Sequence, residues 1–314
     1  MIYELEDRPF GHKLAELGEQ IPNLMVVDAD LQRATETYFF KEKFLDRYFD
    51  VGIAESNMIG VSAGLALIGK IVFCGTFACF LSQRACDQIV ISVAYCNANV
   101  KLVGIEPGLS SGRNGASHQS LLDIAIMRAI PNMKVIEPAD STELQSAMEV
   151  IVAIHGPVYL RTPRGNVPKI FDSNDYHFTL GKAYQVRSGS DLTIIACGIE
   201  VAQAIDAADE LHGCGINARV LNMSSIKPID TEAILLAARE TGCIVVAENH
   251  SIYGGLGGAV SEIVNESYPV PVIRIGIKDT FGEVGPLDWL LDKFQLSHPY
   301  IVHAAEKALK LKKA

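Results

Sequence analysis

A single carboxylate, Glu55, stands among small and apolar residues in Asp50-Val51-Gly52-Ile53-Ala54-Glu55-Ser56-Asn57-Met58, where a strand gives way to a helix. A carboxylate partly stripped of water there holds its proton more tightly and suits proton transfer. A helix-start carboxylate favoured by the macrodipole fits the same pattern. The helix that follows carries small residues at Gly60, Ala63 and Gly64, a sign of close packing. In Gly75-Thr76-Phe77-Ala78-Cys79-Phe80 two aromatics offer a flat apolar wall to a planar ring, or simply fill a core. The run from Gly108 to Gln119 is rich in glycine and serine and ends in His118-Gln119 at a helix start. Loops beyond strand ends are where open α/β sheets bind ligands, so His118 is a candidate for proton transfer, a capping histidine in a solvated turn being the plain alternative. Arg161 and Arg164 flank Thr162-Pro163 and are suited either to clasping an anion or to neutralising acidic surface. Gly254-Gly255-Leu256-Gly257-Gly258 opens a helix but does not match GxGxxG, and reads as a tight turn with close backbone packing.

Residues of this kind need a frame that delivers them at strand ends. Short β-branched runs alternate with amphipathic stretches, the pattern of a mainly parallel sheet wrapped by helices. The spacing predicts strands at 24–28, 71–73, 101–105, 134–137 and 158–161, with helices at 57–68, 80–95, 121–129 and 142–155. Asp140 or Ser141 caps the last of these, with Glu143 in its first turn. The polar, turn-rich stretch 169–189 reads as a linker between a domain at 1–168 and a second at 190–314. In the second, strands are predicted at 192–197, 217–221, 244–248 and 272–275, with helices at 200–212, 231–241 and 258–267. The fold class is therefore α/β, two domains, each a mainly parallel sheet flanked by helices.

Composition narrows the function classes. The chain has 314 residues, 49% of them hydrophobic and 20% charged, enough for two buried cores and unlike a disordered chain. A net charge of −10 is the wrong sign for nucleic acid or an anionic membrane. The basic run 307–313 reads as the end of a solvated last helix. No stretch of ~18 uncharged apolar residues predicts a membrane span, and the acidic residues 1–7 lack the apolar core of a signal peptide, so a cytoplasmic protein is expected. The seven cysteines are scattered without a CxxC pair, which fits buried thiols rather than a metal or redox site.

Taken in order, VGIAE-x-NM-x-GV-x-AGLA, TFA-x-F, G-x-x-G-x-x-H-Q, DIA-x-x-R-x-x-PNM-x-V-x-x-PAD and the PRG turn at 163–165 resemble the C-terminal half of a transketolase over nearly the whole chain. No GDG motif, which in that family holds the diphosphate of thiamine diphosphate through a divalent ion, occurs in this sequence. The resemblance thus implies one subunit of a two-chain transketolase, a pyrimidine-binding domain followed by a transketolase C-terminal domain. Its partner would be an N-terminal subunit carrying the diphosphate and Mg²⁺ site, in an α2β2 assembly. This chain is expected to supply no metal ligand.

The resemblance also implies roles. Glu55 matches the glutamate that hydrogen-bonds the aminopyrimidine ring nitrogen and favours the imino tautomer. Phe80 matches the aromatic that stacks on the pyrimidine, with Phe77 lining the pocket, and Gln83 departs from a tyrosine usual nearby. His118 matches a histidine that contacts sugar hydroxyls and shuttles protons. Arg8 and Arg164 match anion-binding arginines. Three positions depart from the family pattern: Asn114 stands for an aspartate that reads a donor hydroxyl, Glu106 for a histidine that contacts the sugar phosphate, and Arg113 for an acidic or small residue. The implied activity is transfer of a two-carbon ketol unit from a ketose (phospho)sugar to an aldose, with a non-standard sugar pair expected. The alternatives are a 1-deoxyxylulose-5-phosphate synthase-like enzyme, which Arg84 within Gln83-Arg84-Ala85-Cys86-Asp87-Gln88 also resembles, a 2-oxoacid dehydrogenase β-type subunit, and a non-catalytic scaffold subunit.

Overall fold

A computed structural model describes residues 3–312. Met1 and Ile2 of the acidic start, and Lys313 of the basic tail, lie outside the described residues.

The chain builds two large sheets. The first has seven strands in the order Ser225–Lys227, Lys134–Ile136, Val158–Thr162, Val100–Ile105, Ile71–Phe77, Leu24–Asp28, Tyr48–Asp50. Those from the first half of the chain pair in parallel. Every residue of Val100–Ile105 and Val158–Thr162 is buried, as strands covered by helices on both faces require. Register lines up the strand ends: Phe77 pairs with Ile105, Ile105 with Thr162, and Asp28 with Asp50. The loops that follow these residues therefore emerge along one edge. The second sheet runs Val272–Ile277, Ile244–Ser251, Leu192–Ala196, Ala218–Asn222, Tyr184–Arg187, parallel except for the last.

Several elements differ from the expected pattern, each for a local reason. Within the stretch 169–189, Tyr184–Arg187 is an antiparallel edge strand, too short to display a period. Asn166–Lys169 pairs with Glu4–Asp7 as a separate two-stranded ribbon. The helix expected at 80–95 is wound with π geometry at Phe80–Arg84 and Ile89–Tyr95, around a short α turn at Cys86–Gln88. Such winding gathers at functional sites and leaves no mark in a hydrophobic pattern. Ser225–Lys227 leaves the second half of the chain and pairs antiparallel with Lys134–Ile136, closing an edge of the first sheet.

Side chains reinforce this join. Asp140 caps Ser141–Ala153 by accepting from Glu143 N at 2.7 Å, and the Glu143 carboxylate accepts in return from Ala139 N at 2.6 Å. That same carboxylate is fully buried and also accepts from Asn222, Ser224 and Tyr176. Burial raises its pKa. The glycine-rich turn proves to be a carboxylate cradle: Leu256 N and Gly257 N donate to Glu248 at 2.7 and 2.9 Å. A Cβ on Gly255 would lie 1.9 Å from Glu248 Oε2, so only glycine fits there.

Candidate functional site

The site residues hang from the carboxyl edge of the first sheet. Phe77 ends its strand, Glu106 follows Ile105, Arg164 follows the strand ending at Thr162, and Glu55 opens a helix shortly after Asp50. This edge is where parallel α/β sheets hold ligands, because the strands end there and the loops are free to vary.

One group of side chains forms an aromatic pocket. The rings of Phe77 and Phe80 lie 5.8 Å apart, edge to face. His118 meets both edge-on, at 5.4 Å from Phe77 and 5.0 Å from Phe80. Its Nδ1 is 2.9 Å from Ser117 Oγ. Glu55 is buried, and its Oε1 accepts from Arg84 Nη1 at 2.7 Å. The half-exposed Arg84 in turn lies over the Phe80 ring at 4.4 Å. Glu55, Arg84, Phe80, Phe77 and His118 thus form a continuous chain of contacts. Arg84 connects the carboxylate to the aromatic wall, so a guanidinium, not apolar surface alone, faces Glu55.

A second group lines an adjoining cleft of about 850 Å³. Glu106, Arg113, Asn114 and Arg164 lie in its wall. Arg164 Nη1 is 3.5 Å from Glu106 Oε1, and Asn114 Nδ2 donates to Ser111 Oγ at 3.1 Å. Arg8 stands beside the cleft: its backbone N donates to Gly165 O at 2.9 Å while its guanidinium binds Asp7 at 3.0 Å. The opposite wall comes from the second half of the chain, Val284 to Leu287.

The loop that bears these groups is held from that same half. Asn249, buried at the end of the Ile244–Ser251 strand, accepts from Leu109 N at 2.9 Å and donates to Pro107 O at 3.3 Å. Gly108 has a φ of 59°, and a Cβ there would sit 2.2 Å from Asn249 O. Gln119 Nε2 donates to Glu283 O at 2.9 Å, and Gly285 N donates to Gly112 O at 3.1 Å.

Arg161 has a different position from the one its sequence neighbourhood suggests. It is fully buried inside its strand, binds Asp123 at 2.7 Å and Glu137 at 2.6 Å, and donates to Asn249 O at 3.2 Å. It joins the halves of the chain and is closed to an anion from solvent. Arg84, Asn249 and the 284–287 segment are site components that sequence reasoning misses. For Arg84 a signal exists, as a cation within about one helical turn of Phe80; for the others no local pattern does. Among the described residues no group of three or more His, Cys, Asp or Glu side chains is disposed to hold a metal ion, and no helix is long and apolar enough to cross a membrane.

Comparison with known proteins gives two family matches: transketolase, pyrimidine binding domain, over residues 8–169, and transketolase, C-terminal domain, over residues 181–301. The chain is 48% identical over 299 residues to the 6-deoxy-6-sulfo-D-fructose transketolase subunit of Clostridium sp. (strain MSTE9), covering 95% of this chain and 92% of that protein. It is 42% identical over 273 residues to an apulose-4-phosphate transketolase subunit of Phocaeicola vulgatus, covering 87% of each. A solved structure described as a split gene transketolase, inactive beta4 tetramer, superposes with a TM-score of 0.89 at 44% identity, covering 97% of both chains.

Proposed function

From the premise that this chain belongs to the transketolase family, we propose that it is the pyrimidine-binding subunit of a two-chain transketolase that moves a two-carbon ketol unit from an anionic ketose to an aldose. The family implies thiamine diphosphate, which when bound supplies the electron sink for carbon–carbon cleavage. The observation that carries the reading is the convergence of a buried carboxylate, two perpendicular phenylalanines and a histidine beside an arginine-lined cleft.

The residues present fit the pyrimidine end of that cofactor. Phe80 and Phe77 offer apolar ring faces and edges, and Glu55 offers an oxygen to a ring nitrogen. Glu55 holds or gives the proton at that nitrogen, with Arg84 setting the orientation of the carboxylate. His118, against both rings, stands where it can exchange a proton with a sugar hydroxyl. Arg164 and Arg113 take the anionic end of the sugar. The diphosphate and Mg²⁺ are assigned to a companion N-terminal-type subunit, in an α2β2 complex in the cytoplasm. The domain limits we adopt are 1–168 and 190–314, with 169–189 between them. The relatives support a non-standard sugar pair, since one is named for a sulfonated ketose and the other for apulose 4-phosphate.

The experiment compares this chain alone with a mixture of this chain, its companion, thiamine diphosphate and Mg²⁺, each assayed for two-carbon transfer from a panel of ketose donors to a panel of aldose acceptors. Transfer is expected only from the mixture. Full turnover by the isolated chain, or no transfer by the mixture from any donor to any acceptor, refutes the proposal.

A further inference from the structure

The cleft holds a charge of the wrong sign for an anion site. Its charged lining residues are Arg113, Arg164 and Glu106. The guanidiniums invite an anionic sugar tail, and Glu106 opposes it. That carboxylate is only loosely matched: Oε1 is 3.5 Å from Arg164, and Oε2 is buried with no hydrogen-bond partner. Glu106 is also held in the left-handed region at φ 49°, with its N–H bonded to Thr162 O at 3.1 Å. Strained backbone of this kind persists where the surrounding structure fixes a side chain's position.

The geometry points to Glu106 as a charge selector that biases the cleft toward a sugar with a singly charged tail, such as a sulfonate, and against the dianion of a phosphate monoester. The assignment rests on the sugar-transfer reading above. Two guanidiniums and one carboxylate leave one positive charge, which a monoanion neutralises. A phosphate monoester carries close to two charges at neutral pH. Glu106 therefore repels it about twice as strongly, and the excess charge must also be stripped of water. At contact distances in a half-open cleft, one extra unit of repulsion amounts to roughly fivefold to tenfold in affinity.

The test uses the assembled two-chain complex and two polyols, glucitol 6-phosphate and 6-deoxy-6-sulfoglucitol. They share a carbon skeleton, differ in tail charge and have no carbonyl to react. Calorimetric titration gives the ratio of their dissociation constants. Glu106→Gln removes the charge and keeps the shape, and should move that ratio about fivefold toward the phosphate. Glu106→Asp keeps the charge and should leave the wild-type ratio in place. An unmoved ratio in Glu106→Gln, an equal shift in Glu106→Asp, or no binding of either polyol at millimolar concentration overturns the assignment. Two-carbon transfer, measured separately, tests the underlying reading. A shifted polyol ratio without transfer refutes that reading alone, and transfer without a shifted ratio refutes the selector alone.

Discussion

Glu55 and Arg84 divide the chemistry of the aromatic pocket between them. The carboxylate is positioned by the first turn of its helix, and its Oε1 is taken by a guanidinium from a turn 29 residues farther along. Glu55→Gln keeps the size and one accepting oxygen but cannot give up a proton. The assembled complex of this variant should fold normally by circular dichroism yet slow deuterium exchange at the thiazolium C2 of bound thiamine diphosphate by about 10²–10⁴-fold, the usual weight of general acid–base catalysis. Exchange at the wild-type rate would return Glu55 to the role of a helix-start carboxylate. Glu55 itself was legible in the sequence, because a lone acid in an apolar, glycine-rich run is conspicuous. Its pairing with Arg84 was not. The distance between Glu55 and Arg84 depends on the π-wound turn at Phe80–Arg84, and no periodicity announces a change of winding.

At the level of elements, the loop from Glu106 to Gln119 is shaped less by its own sequence than by what grips it. Its glycines and serines supply no packing of their own. Asn249 bonds the loop backbone at Leu109 and Pro107 from a strand of the other sheet, and the 283–287 segment bonds it at Gln119 and Gly112. Asn249→Ala removes the first pair of bonds and should let the loop drift relative to the aromatic pocket. With each net bond contributing on the order of 1 kcal/mol, the KM for the sugar donor should rise about tenfold while kcat falls much less. A fall confined to kcat would show that the loop's place is set elsewhere. The sequence pattern located the strand but ended it at 248. The polar residues Asn249, His250 and Ser251 look like a loop, yet they continue the strand to Ser251 because the other half of the chain and the strand's own turn satisfy them. The two-sheet α/β frame was legible because buried parallel strands read as unbroken apolar runs. The crossing of Ser225–Lys227 was not, since three residues carry no signature of which sheet they join.

Across the whole molecule, the halves of the chain meet at buried ionisable groups whose protonation is a property of the fold. Glu248 is fully buried; burial pushes its pKa up from 4.5 to about 7, despite the helix-start N–H groups that it accepts. His250 is buried beside it, its Nδ1 3.7 Å from Glu248 Oε2, and burial pushes its pKa down from 6.5 to about 4. Between about pH 4 and pH 7 the pair is therefore favoured in its uncharged forms. The effects on stability run in opposite directions. Between pH 4.5 and 7 the folded state binds the Glu248 proton more tightly than the unfolded chain does, so this group's contribution falls as pH rises. Between pH 4 and 6.5 the folded state binds the His250 proton less tightly, so that contribution rises with pH. Each amounts to about 3 kcal/mol at ~1.4 kcal/mol per pKa unit, and over the shared window they offset. Removing one partner should uncover the other. Relative to wild type, Glu248→Gln should lose about 3 kcal/mol of stability as pH falls from 7 to 4.5, and His250→Gln should lose a similar amount as pH rises from 4 to 6.5. Denaturant unfolding of the wild type and both variants at intervals across pH 4–8 reads the differences directly, and the carboxylates common to all three cancel. Parallel curves would mean that the interface does not hold these groups in their uncharged forms.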